Sequence, residues 1–543
     1  MICPVCHQEN GPLIHHFHGV QDEPLTAALA EEVNGWEPAA GACTRCVDQA
    51  QLAQWENAGG MEKQAEGEKT GDYWVLPLPK RLIAHPGYSG RGVAICFIDS
   101  GFYPHPDLCH PENRILKMLD IHRPHQEVIA EWGHPHPHSW HGTMTAVVGA
   151  GSGALSNGFY RSLAPDARLV LIKVMDERGI ISGEAIAAAL NWVAGHHEKY
   201  GIRIVNLSVS DDWAVSYRES EVDLAIEKLV ALGVNVVAAA GNDTGSQVKA
   251  PANSPHAITV GGLDDANTLH PLTHSLYHSS FGFTADHTLK PELIAPAIWL
   301  PAPVLPGTAE QREASALFAI KNTPEKYRKA VAVNLLYRTS LSRSLLSAPL
   351  SRLDEAITER IETAKYITPH YQHSDGTSFA APIVSSVIAQ MLEANPDLNP
   401  AGIREILLRT ARKLPGFPER RQGYGVIHPL SAVHRAERDH HRFPPFFNPV
   451  IDYEKRTIRF YCHDEAARRV VISGSFNGWR EPALPLMNTG GHHWEGVTIA
   501  FPKGKYAYKY LIDSVEWRSD MRNLFREPDG LGGFNSLIFV EGD

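Results

Sequence analysis

The sequence contains little of what marks secreted, membrane or nucleic-acid-binding proteins. Cysteine is sparse and odd in number, with 7 among 543 residues, which argues against a secreted scaffold held by disulfides. No run of about 18 uncharged apolar residues occurs, and the chain does not open with the charged and apolar segments of a secretory signal. Lys and Arg number 50 against 61 Asp and Glu, so the net charge is −11. We therefore expect a cytoplasmic protein that binds neither membrane nor nucleic acid.

What is present divides into three domains. A cysteine-paired head with a Glu-, Lys- and Gly-rich linker spans residues 1–72. Over residues 73–439, β-rich apolar runs alternate with helical stretches, which predicts a doubly wound α/β domain with a parallel sheet. A Pro- and Phe-rich linker at 440–450 follows. Short alternating segments separated by turn residues then predict an antiparallel β-sandwich over 451–543.

Three residues of complementary chemistry stand at the ends of predicted elements in the middle domain. Asp99 follows an apolar run, at the strand edge where catalytic groups collect in open α/β sheets. His141 opens an apolar helix, and Ser378 begins a long, largely apolar one. A nucleophilic Ser needs a His to take its proton, and that His needs a carboxylate to orient it and to stabilise the imidazolium. The three residues are therefore candidates for a nucleophilic site.

Six motifs run in order through this domain. They are FIDSGFYPHPDL at 97–108, HGT at 141–143, NLS at 206–208, AAAGN at 238–242, KPELIAP at 290–296 and GTSFAAP at 376–382. In this order, with Asp before His before Ser, the domain resembles a subtilisin-like serine protease. The resemblance implies an endopeptidase that needs no cofactor for catalysis, and with the composition above we expect a cytoplasmic, bacterial enzyme.

The resemblance also implies a role for each matching residue. Asp99 would orient His141, His141 would act as general base and then acid, and Ser378 would form the acyl-enzyme. Asn242 would donate to the tetrahedral oxyanion together with the backbone N–H of Ser378. The alternative is an inactive or conditionally active protease fold that binds glycan or protein partners.

Substrate contacts are expected on both sides of an extended peptide or protein substrate. The resemblance implies that Ser208, Gly179 and Ala240 line its path, with main-chain hydrogen bonds supplying affinity. Lys249 would fall in the primary specificity pocket, where its ammonium would favour cleavage after Asp or Glu. The competing interpretation is a solvated lysine.

Two insertions depart from the motif frame. Histidines crowd the loop before the catalytic helix, from His122 to His141, and either bind a metal or form a solvent-exposed loop. A larger insertion at about 299–370 has apolar residues at helical spacing. Residues 311–365 carry ten Lys and Arg against six Asp and Glu. This insertion is either a packed helical decoration or a lid or docking element beside the active site.

The head carries two C-x-x-C pairs. Cys3 and Cys6 are separated from Cys43 and Cys46 by 36 residues, and two thiolate pairs can close a tetrahedral site around one structural Zn²⁺. The alternatives are four free or disulfide-paired thiols, or a site in which a nearby histidine replaces one cysteine.

The last hundred residues resemble the glycogen-binding module of AMP-activated kinase β subunits. The resemblance rests on VISGSFNGW at 471–479, YAYKYLID at 506–513 and GGFNSLIFV at 532–540. It implies that an α-glucan stacks on aromatic rings and is held by polar groups, with the candidates being Trp479, Lys509, Trp517 and Asn535. The alternative is a module that binds a partner protein.

Overall fold

The computed structural model of the chain describes residues 75–125, 132–211, 215–438 and 448–540, apart from residues 454, 481, 482, 491, 524 and 532. Before residue 75 it describes short pieces only: 2–5, 7, 13–14, 27, 29–30, 33, 36–43 and 46. The Glu-, Lys- and Gly-rich stretch 54–72 and residues 440–447 of the predicted 440–450 linker therefore lie outside the described residues, whereas Val450, the last residue of that linker, already belongs to a strand.

The described pieces of the head contain one small antiparallel pair, β1 (Leu13–Ile14) with β2 (Ala42–Cys43). The buried side chains of the head, Cys3 and Leu29 among them, form an apolar cluster that also includes Leu430 of the middle domain. The head thus packs on the middle domain through an apolar contact.

The middle domain is built on an eight-stranded sheet. Its strands cross the sheet in the order β12-β8-β7-β6-β3-β5-β4, with neighbours parallel, and β9 pairs antiparallel with β8. Two smaller antiparallel pairs, β10 with β11 and β13 with β14, lie outside this sheet. The strands of the domain are β3 (Ala94–Asp99), β4 (Ile115–Asp120), β5 (Arg168–Lys173), β6 (Ile202–Leu207), β7 (Asn235–Ala239), β8 (Ile258–Asp264), β9 (Ser275–Leu276), β10 (Gly282–Phe283), β11 (Leu289–Lys290), β12 (Leu293–Pro296), β13 (Leu300–Pro303) and β14 (Tyr371–Ser374).

Helices cover both faces of this sheet. Among the described residues, no helix is both long and apolar enough to cross a membrane. The helices are α1 (Leu78–Arg81), α2 (Pro106–Cys109), α3 (Trp140–Ala150), α4 (Gly183–Tyr200), α5 (Glu221–Ala231), α6 (Ala309–Lys321), α7 (Glu325–Leu335), α8 (Leu350–Thr363), α9 (Thr377–Ala394), α10 (Pro400–Thr410), α11 (Glu419–Gln422) and α12 (Pro429–Arg438).

Strand β3 shows why its sequence is apolar throughout. Ile95 and Phe97 point into the core formed with α3 and α9, whereas Cys96 and Ile98 point into the core formed with α4 and α5. Successive strand residues face opposite sides, so a strand with helices on both faces needs apolar residues at every position. This arrangement confirms the predicted α/β fold with a parallel sheet.

The strands that carry or precede the candidate site residues end at one edge of the sheet. Asp99 ends β3, while β6 and β7 end nearby at Leu207 and Ala239. Because parallel strands present their carboxyl ends on the same edge, the loops that follow them meet there.

The insertion contributes its own helical layer. Helices α6, α7 and α8 enclose an apolar cluster in which Leu353, Ile357 and Ile361 of α8 are buried. The helical spacing of these apolar residues is the pattern from which the sequence predicts a helix. The insertion returns to the domain through β14, which pairs with β13 and leads directly into α9.

The C-terminal domain is wholly antiparallel, in the strand order β15-β16-β19-β18-β17-β20-β23-β22, with β21 beside β20. This confirms the predicted antiparallel β domain. Its strands are β15 (Val450–Asp452), β16 (Thr457–His463), β17 (Val470–Gly474), β18 (Leu484–Gly490), β19 (His493–Ile499), β20 (Gly504–Ile512), β21 (Glu516–Arg518), β22 (Arg526–Pro528) and β23 (Phe534–Val540).

The sandwich docks on the middle domain around Arg526. Its backbone N–H donates to the C=O of His287 at 3.1 Å, and its buried guanidinium lies 4.9 Å from the ring centroid of Tyr424. A guanidinium removed from water over an aromatic face gains a cation–π contact. The contact fixes the sandwich beside the loop between β10 and β11.

Candidate active site

Asp99 and His141 form a hydrogen-bonded pair at the sheet edge. Nδ1 of His141 lies 2.7 Å from Oδ1 of Asp99, and the carboxylate also accepts from the N–H of Ser100 at 2.7 Å and the hydroxyl of Thr145 at 3.1 Å. The Asp99 side chain is 1% exposed and that of His141 25% exposed. The carboxylate is therefore held by three donors while one face of the imidazole reaches solvent.

The glycine after His141 lets the helix approach the strand this closely. A Cβ on Gly142 would lie 2.3 Å from the carbonyl oxygen of Gly101 and 3.0 Å from Cβ of Asp99. A larger residue would push α3 away from β3 and lengthen the bond between Asp99 and His141. The sequence HGT thus has a packing reason as well as a chemical one.

Electrostatics favour a proton on this histidine. Burial lowers the pKa of His141, but the charge of Asp99 and the hydrogen bond to it outweigh burial, so the pKa is raised above its ordinary value. The imidazole is thus suited to accept a proton and to stay charged beside Asp99.

Ser378 stands in the first turn of α9 and lines the same cleft as His141. The residue before the helix, Gly376, has φ of +137°, and a Cβ there would come 3.3 Å from Nδ2 of Asn242. The backbone conformation favours glycine here, and a Cβ would also crowd the Asn242 amide.

Asn242 is oriented by the backbone next to Ser378. Its Oδ1 accepts from the N–H of Thr377 at 2.8 Å and from the Thr377 hydroxyl at 3.0 Å. Because two donors occupy the oxygen, the amide nitrogen of Asn242 is left to face the cleft that this residue lines. The site therefore combines a serine, a histidine with its carboxylate, and an amide donor. That set can activate a hydroxyl and stabilise an oxyanion.

Ser208 contacts the backbone of Ser378. Its hydroxyl donates to the C=O of Ser378 at 2.8 Å and accepts from Nδ2 of Asn206 at 3.0 Å. The side chain of Ser208 thus supports the first turn of α9, a contact that the motif NLS does not reveal. The backbone of the same residue follows the end of β6.

The other three residues predicted to contact substrate lie at different points of the middle domain. Gly179 has φ of +82° in a loop near the His138 ring, and the N–H of Ala240 is used by the C=O of Val260 at 3.0 Å. Lys249 is half-buried. Among the described residues that line the cleft around Ser378, these three and Ser208 are not included.

The cleft has a volume of about 480 Å³ and two sets of walls. One set holds Trp140, His141, Asn242, Ser378 and Phe379. The other consists of residues 363–365 at the end of α8 and 372–375 of β14 and its end. The insertion thus contributes directly to the active-site cleft, although no motif in the sequence indicates which of its residues do so. The adjacency of β14 to GTSFAAP is the one available signal.

Cysteine geometry in the head agrees with metal ligation. The Sγ atoms of Cys3 and Cys46, both buried, are 3.9 Å apart. This separation is too long for a disulfide, whereas two sulfurs about 2.3 Å from one tetrahedral Zn²⁺ would stand about 3.8 Å apart. Cys6 and the side chain of Cys43 lie outside the described residues.

A second group of metal-ligand type lies at the base of the middle domain. Ligand atoms of His85, His434 and Glu437 lie within 4.8 Å of one another, and this is the one such group among the described residues. The hydroxyl of Tyr88 donates to Oε1 of Glu437 at 2.8 Å, and the N–H of Gly87 donates to Nδ1 of His85. The described histidines of the loop before His141 do not form such a group.

The glycan candidates share one face of the sandwich. The rings of Trp479 and Trp517 are 6.0 Å apart and roughly half exposed. Nζ of Lys509 lies 2.5 Å from Asp529, and Asn535 pairs with Glu527 in the register of β22 with β23. Tyr508 and Tyr510 point to the buried opposite face.

Comparisons with known proteins match two separate regions. Residues 90–425 match the sequence model of the subtilase family. Residues 459–543 match the model described as the glycogen recognition site of AMP-activated protein kinase. Both predicted resemblances are confirmed, whereas the zinc-binding head stays a prediction.

Individual relatives cover part of the chain. Serine protease AprX of Bacillus subtilis (strain 168) is 28% identical over 354 residues, which cover 64% of this chain and 67% of that protein. Subtilisin-like protease 2 of Pseudogymnoascus destructans is 26% identical, covering 46% and 56%. Subtilisin BL of Lederbergia lenta is 33% identical, covering 36% and 64%. The chain thus spans between about half and two thirds of these relatives.

Among solved structures, fervidolysin from Fervidobacterium pennivorans is similar over 78% of this chain and 52% of its own, at 19% identity and a TM-score of 0.44. The strand order and the helices on both faces of the sheet define the fold.

Proposed function

Because the chain belongs to the subtilase family and is a subtilisin-like serine peptidase, we propose that it cleaves within peptide or protein substrates through an acyl-enzyme on Ser378. One observation carries this proposal. The imidazole of His141, hydrogen-bonded to Asp99 at 2.7 Å, opens onto the cleft that Ser378 and Asn242 also line.

The chemistry follows from these positions. His141 takes the hydroxyl proton as Ser378 Oγ attacks the carbonyl carbon, and Asp99 stabilises the imidazolium. The carbonyl oxygen becomes an oxyanion that accepts from Nδ2 of Asn242 and the N–H of Ser378. When the C–N bond breaks, His141 returns the proton to the leaving amine. Water then attacks the acyl-enzyme, again with His141 as base, and releases Ser378.

The acyl part of the substrate is proposed to lie as an extended strand along Ser208, Gly179 and Ala240. Lys249 is proposed to favour cleavage after Asp or Glu. Its half-buried position beside the buried Val248 supports this, since a partly desolvated ammonium prefers an anion. A peptide library cleaved by wild type and by Lys249→Glu tests it. An unmoved preference between the two rejects the assignment.

The sandwich is proposed to bind α-glucan through Trp479, Trp517, Lys509 and Asn535. The match of residues 459–543 to a glycogen recognition model supports the proposal, as do the two exposed indoles. Sugar rings present apolar C–H faces that stack on aromatic rings, while the ammonium and the amide bind hydroxyl groups. The module would bring the peptidase to glycan-associated proteins.

The head is proposed to hold one structural Zn²⁺ through Cys3, Cys6, Cys43 and Cys46 in a cytoplasmic, bacterial protein. The 3.9 Å separation of the Cys3 and Cys46 sulfurs supports the ligand set. Four thiolates around one ion would hold the two C-x-x-C pairs together. Sparse cysteine use supports a reducing compartment.

The peptidase proposal is tested by comparing the peptides that wild type and Ser378→Ala release from a proteome. We expect cleavage products with wild type alone. Equal products from both would leave the cleft as a binding site in an inactive protease fold.

A further inference from the structure

The insertion carries one basic group into the active-site cleft. Lys365 follows α8 and lines the cleft together with Asp375, which precedes the GTSFAAP motif. The side chain of Lys365 is 49% exposed, whereas that of Asp375 is 21% exposed. A substrate in the cleft therefore meets the ammonium more readily than the carboxylate.

The backbone fixes the position of Lys365 at the end of α8. Its φ is +61°, in the left-handed region that non-glycine residues seldom adopt. Its N–H donates to the C=O of Glu362 at 3.0 Å, and its C=O accepts from the N–H of His373 at 2.9 Å. The residue is thus fixed between the end of α8 and the strand that leads to Ser378. Together with the bond from the N–H of Tyr366 to the C=O of Ile361 at 3.0 Å, this is the pattern that closes a helix C-terminus, so the end of α8 determines where the Lys365 side chain starts.

The hydrogen bonds around Asp375 leave the ammonium of Lys365 with N–H groups that can bind a substrate. Oδ1 of Asp375 accepts from the N–H of Trp299 at 3.0 Å and lies 3.4 Å from Nδ1 of His373, while Oδ2 accepts from Nζ of Lys365 at 2.7 Å. Burial raises the pKa of Asp375, but these hydrogen bonds and the charge of Lys365 outweigh burial and hold the pKa well below its ordinary value. The carboxylate is already well supplied with donors. An ammonium has three N–H groups and uses one on Asp375, so it can also donate to a substrate carboxylate.

The proposed chemistry determines whether this cleft binds the substrate residues before or after the scissile bond. His141 must protonate the leaving amine, so the leaving peptide starts beside His141. Trp140 and His141 line the cleft, while the positions proposed for the acyl side, Ser208 and Gly179, are not among its described lining residues. The cleft therefore takes the residues that follow the scissile bond.

We propose that Lys365 selects an acidic side chain in the first residues after the scissile bond. The inference rests on the proposed peptidase function and extends it to the leaving-group side. It is independent of Lys249, which would act on the residue before the bond. The insertion would thereby give this enzyme a charge preference where Lys365 meets the leaving peptide.

Nucleophile partitioning tests the leaving-group side alone. An acyl-enzyme formed from a peptide ester, carrying the residue that wild type accepts best before the bond, is offered Glu-amide or Gln-amide in competition with water. The two nucleophiles differ in charge but hardly in size. We expect wild type to transfer the acyl group to Glu-amide about 5-fold better, the preference that one partly exposed ion pair supplies.

Three variants decide the assignment. Lys365→Gln should bring the Glu-amide to Gln-amide ratio close to one, and Lys365→Arg should keep the wild-type preference. Lys326→Gln, an exposed change on α7 of the same insertion, should keep it too. The rate of ester hydrolysis should stay near wild type in Lys326→Gln. A preference unchanged in Lys365→Gln, or none in wild type with normal ester hydrolysis, overturns this proposal alone. Failure of wild type to form the acyl-enzyme overturns the peptidase proposal and this one with it.

Discussion

The side-chain oxygen of Asn242 accepts the backbone N–H of Thr377 at 2.8 Å, one residue before Ser378. This bond ties the loop after β7 to the first turn of the nucleophile helix. It also determines which end of the amide faces the cleft, because the oxygen is occupied and the nitrogen remains.

Removal of this amide should lower turnover more than substrate binding. We predict that Asn242→Ala lowers kcat by roughly 10²- to 10³-fold with a smaller change in KM, since the donor acts on the oxyanion and not on the ground state. Asn242→Asp is the matched variant, because it keeps an oxygen for Thr377 and replaces the donor with an acceptor. It should lose at least as much kcat with little loss of thermal stability. A normal kcat in Asn242→Asp would remove Asn242 from the reaction.

The pH profile should report His141. Its pKa is raised because Asp99 outweighs burial, and the base must be neutral to accept the serine proton. The value of kcat/KM should therefore rise with pH and reach half its maximum above the ordinary histidine pKa of 6.5. In Asp99→Asn the raising influence is lost, so residual activity should be much lower and its midpoint should shift to lower pH. A midpoint below that of free histidine in wild type would contradict this account of the pair.

Metal content should follow the cysteines of the head. We predict about one zinc per chain by mass spectrometry and its loss in Cys3→Ser and in Cys46→Ser. Cys109→Ser, outside the head, is the control and should keep the metal. The peptidase domain should remain folded when the zinc is lost. Zinc that survives both head variants but disappears in Glu437→Gln would place the metal at His85, His434 and Glu437 instead.

Retention on glycogen should depend on the paired indoles. The full-length protein should be retained, and Trp479→Ala combined with Trp517→Ala should abolish retention, because each ring offers a stacking face to sugar. Ile499→Ala, a change of a more exposed apolar residue on β19, should have no effect. If wild type ignores every α-glucan tested, the face binds a protein partner.

Much of this molecule could be predicted from local sequence. Residues 94–98 of strand β3 are all apolar because both faces of the strand are covered. The apolar run alone therefore predicted a strand buried in a parallel sheet. Asp99, His141 and Ser378 stand in short motifs at element ends, and those motifs identify the edge at which the elements meet. The apolar spacing in α8 likewise predicted a helix, and Leu353, Ile357 and Ile361 are buried on it.

Contacts made across the fold were not predictable in the same way. Lys365 reaches the cleft because the insertion packs its own core and returns through β14, and no local pattern encodes that packing. The hydroxyl of Ser208 supports the carbonyl of Ser378 across 170 residues of sequence. Such contacts depend on the three-dimensional meeting of segments whose local sequences carry no mark of each other.

The most direct test of the central claim is labelling with a fluorophosphonate probe, followed by peptide mapping. This probe reacts with a serine whose hydroxyl is activated by a histidine base. The account predicts one label per chain on Ser378 in wild type, none in Ser378→Ala, and strongly slowed labelling in His141→Ala. Wild-type protein that is folded but unlabelled, or labelled at another serine, would contradict the assignment of Asp99, His141 and Ser378 as a working catalytic site.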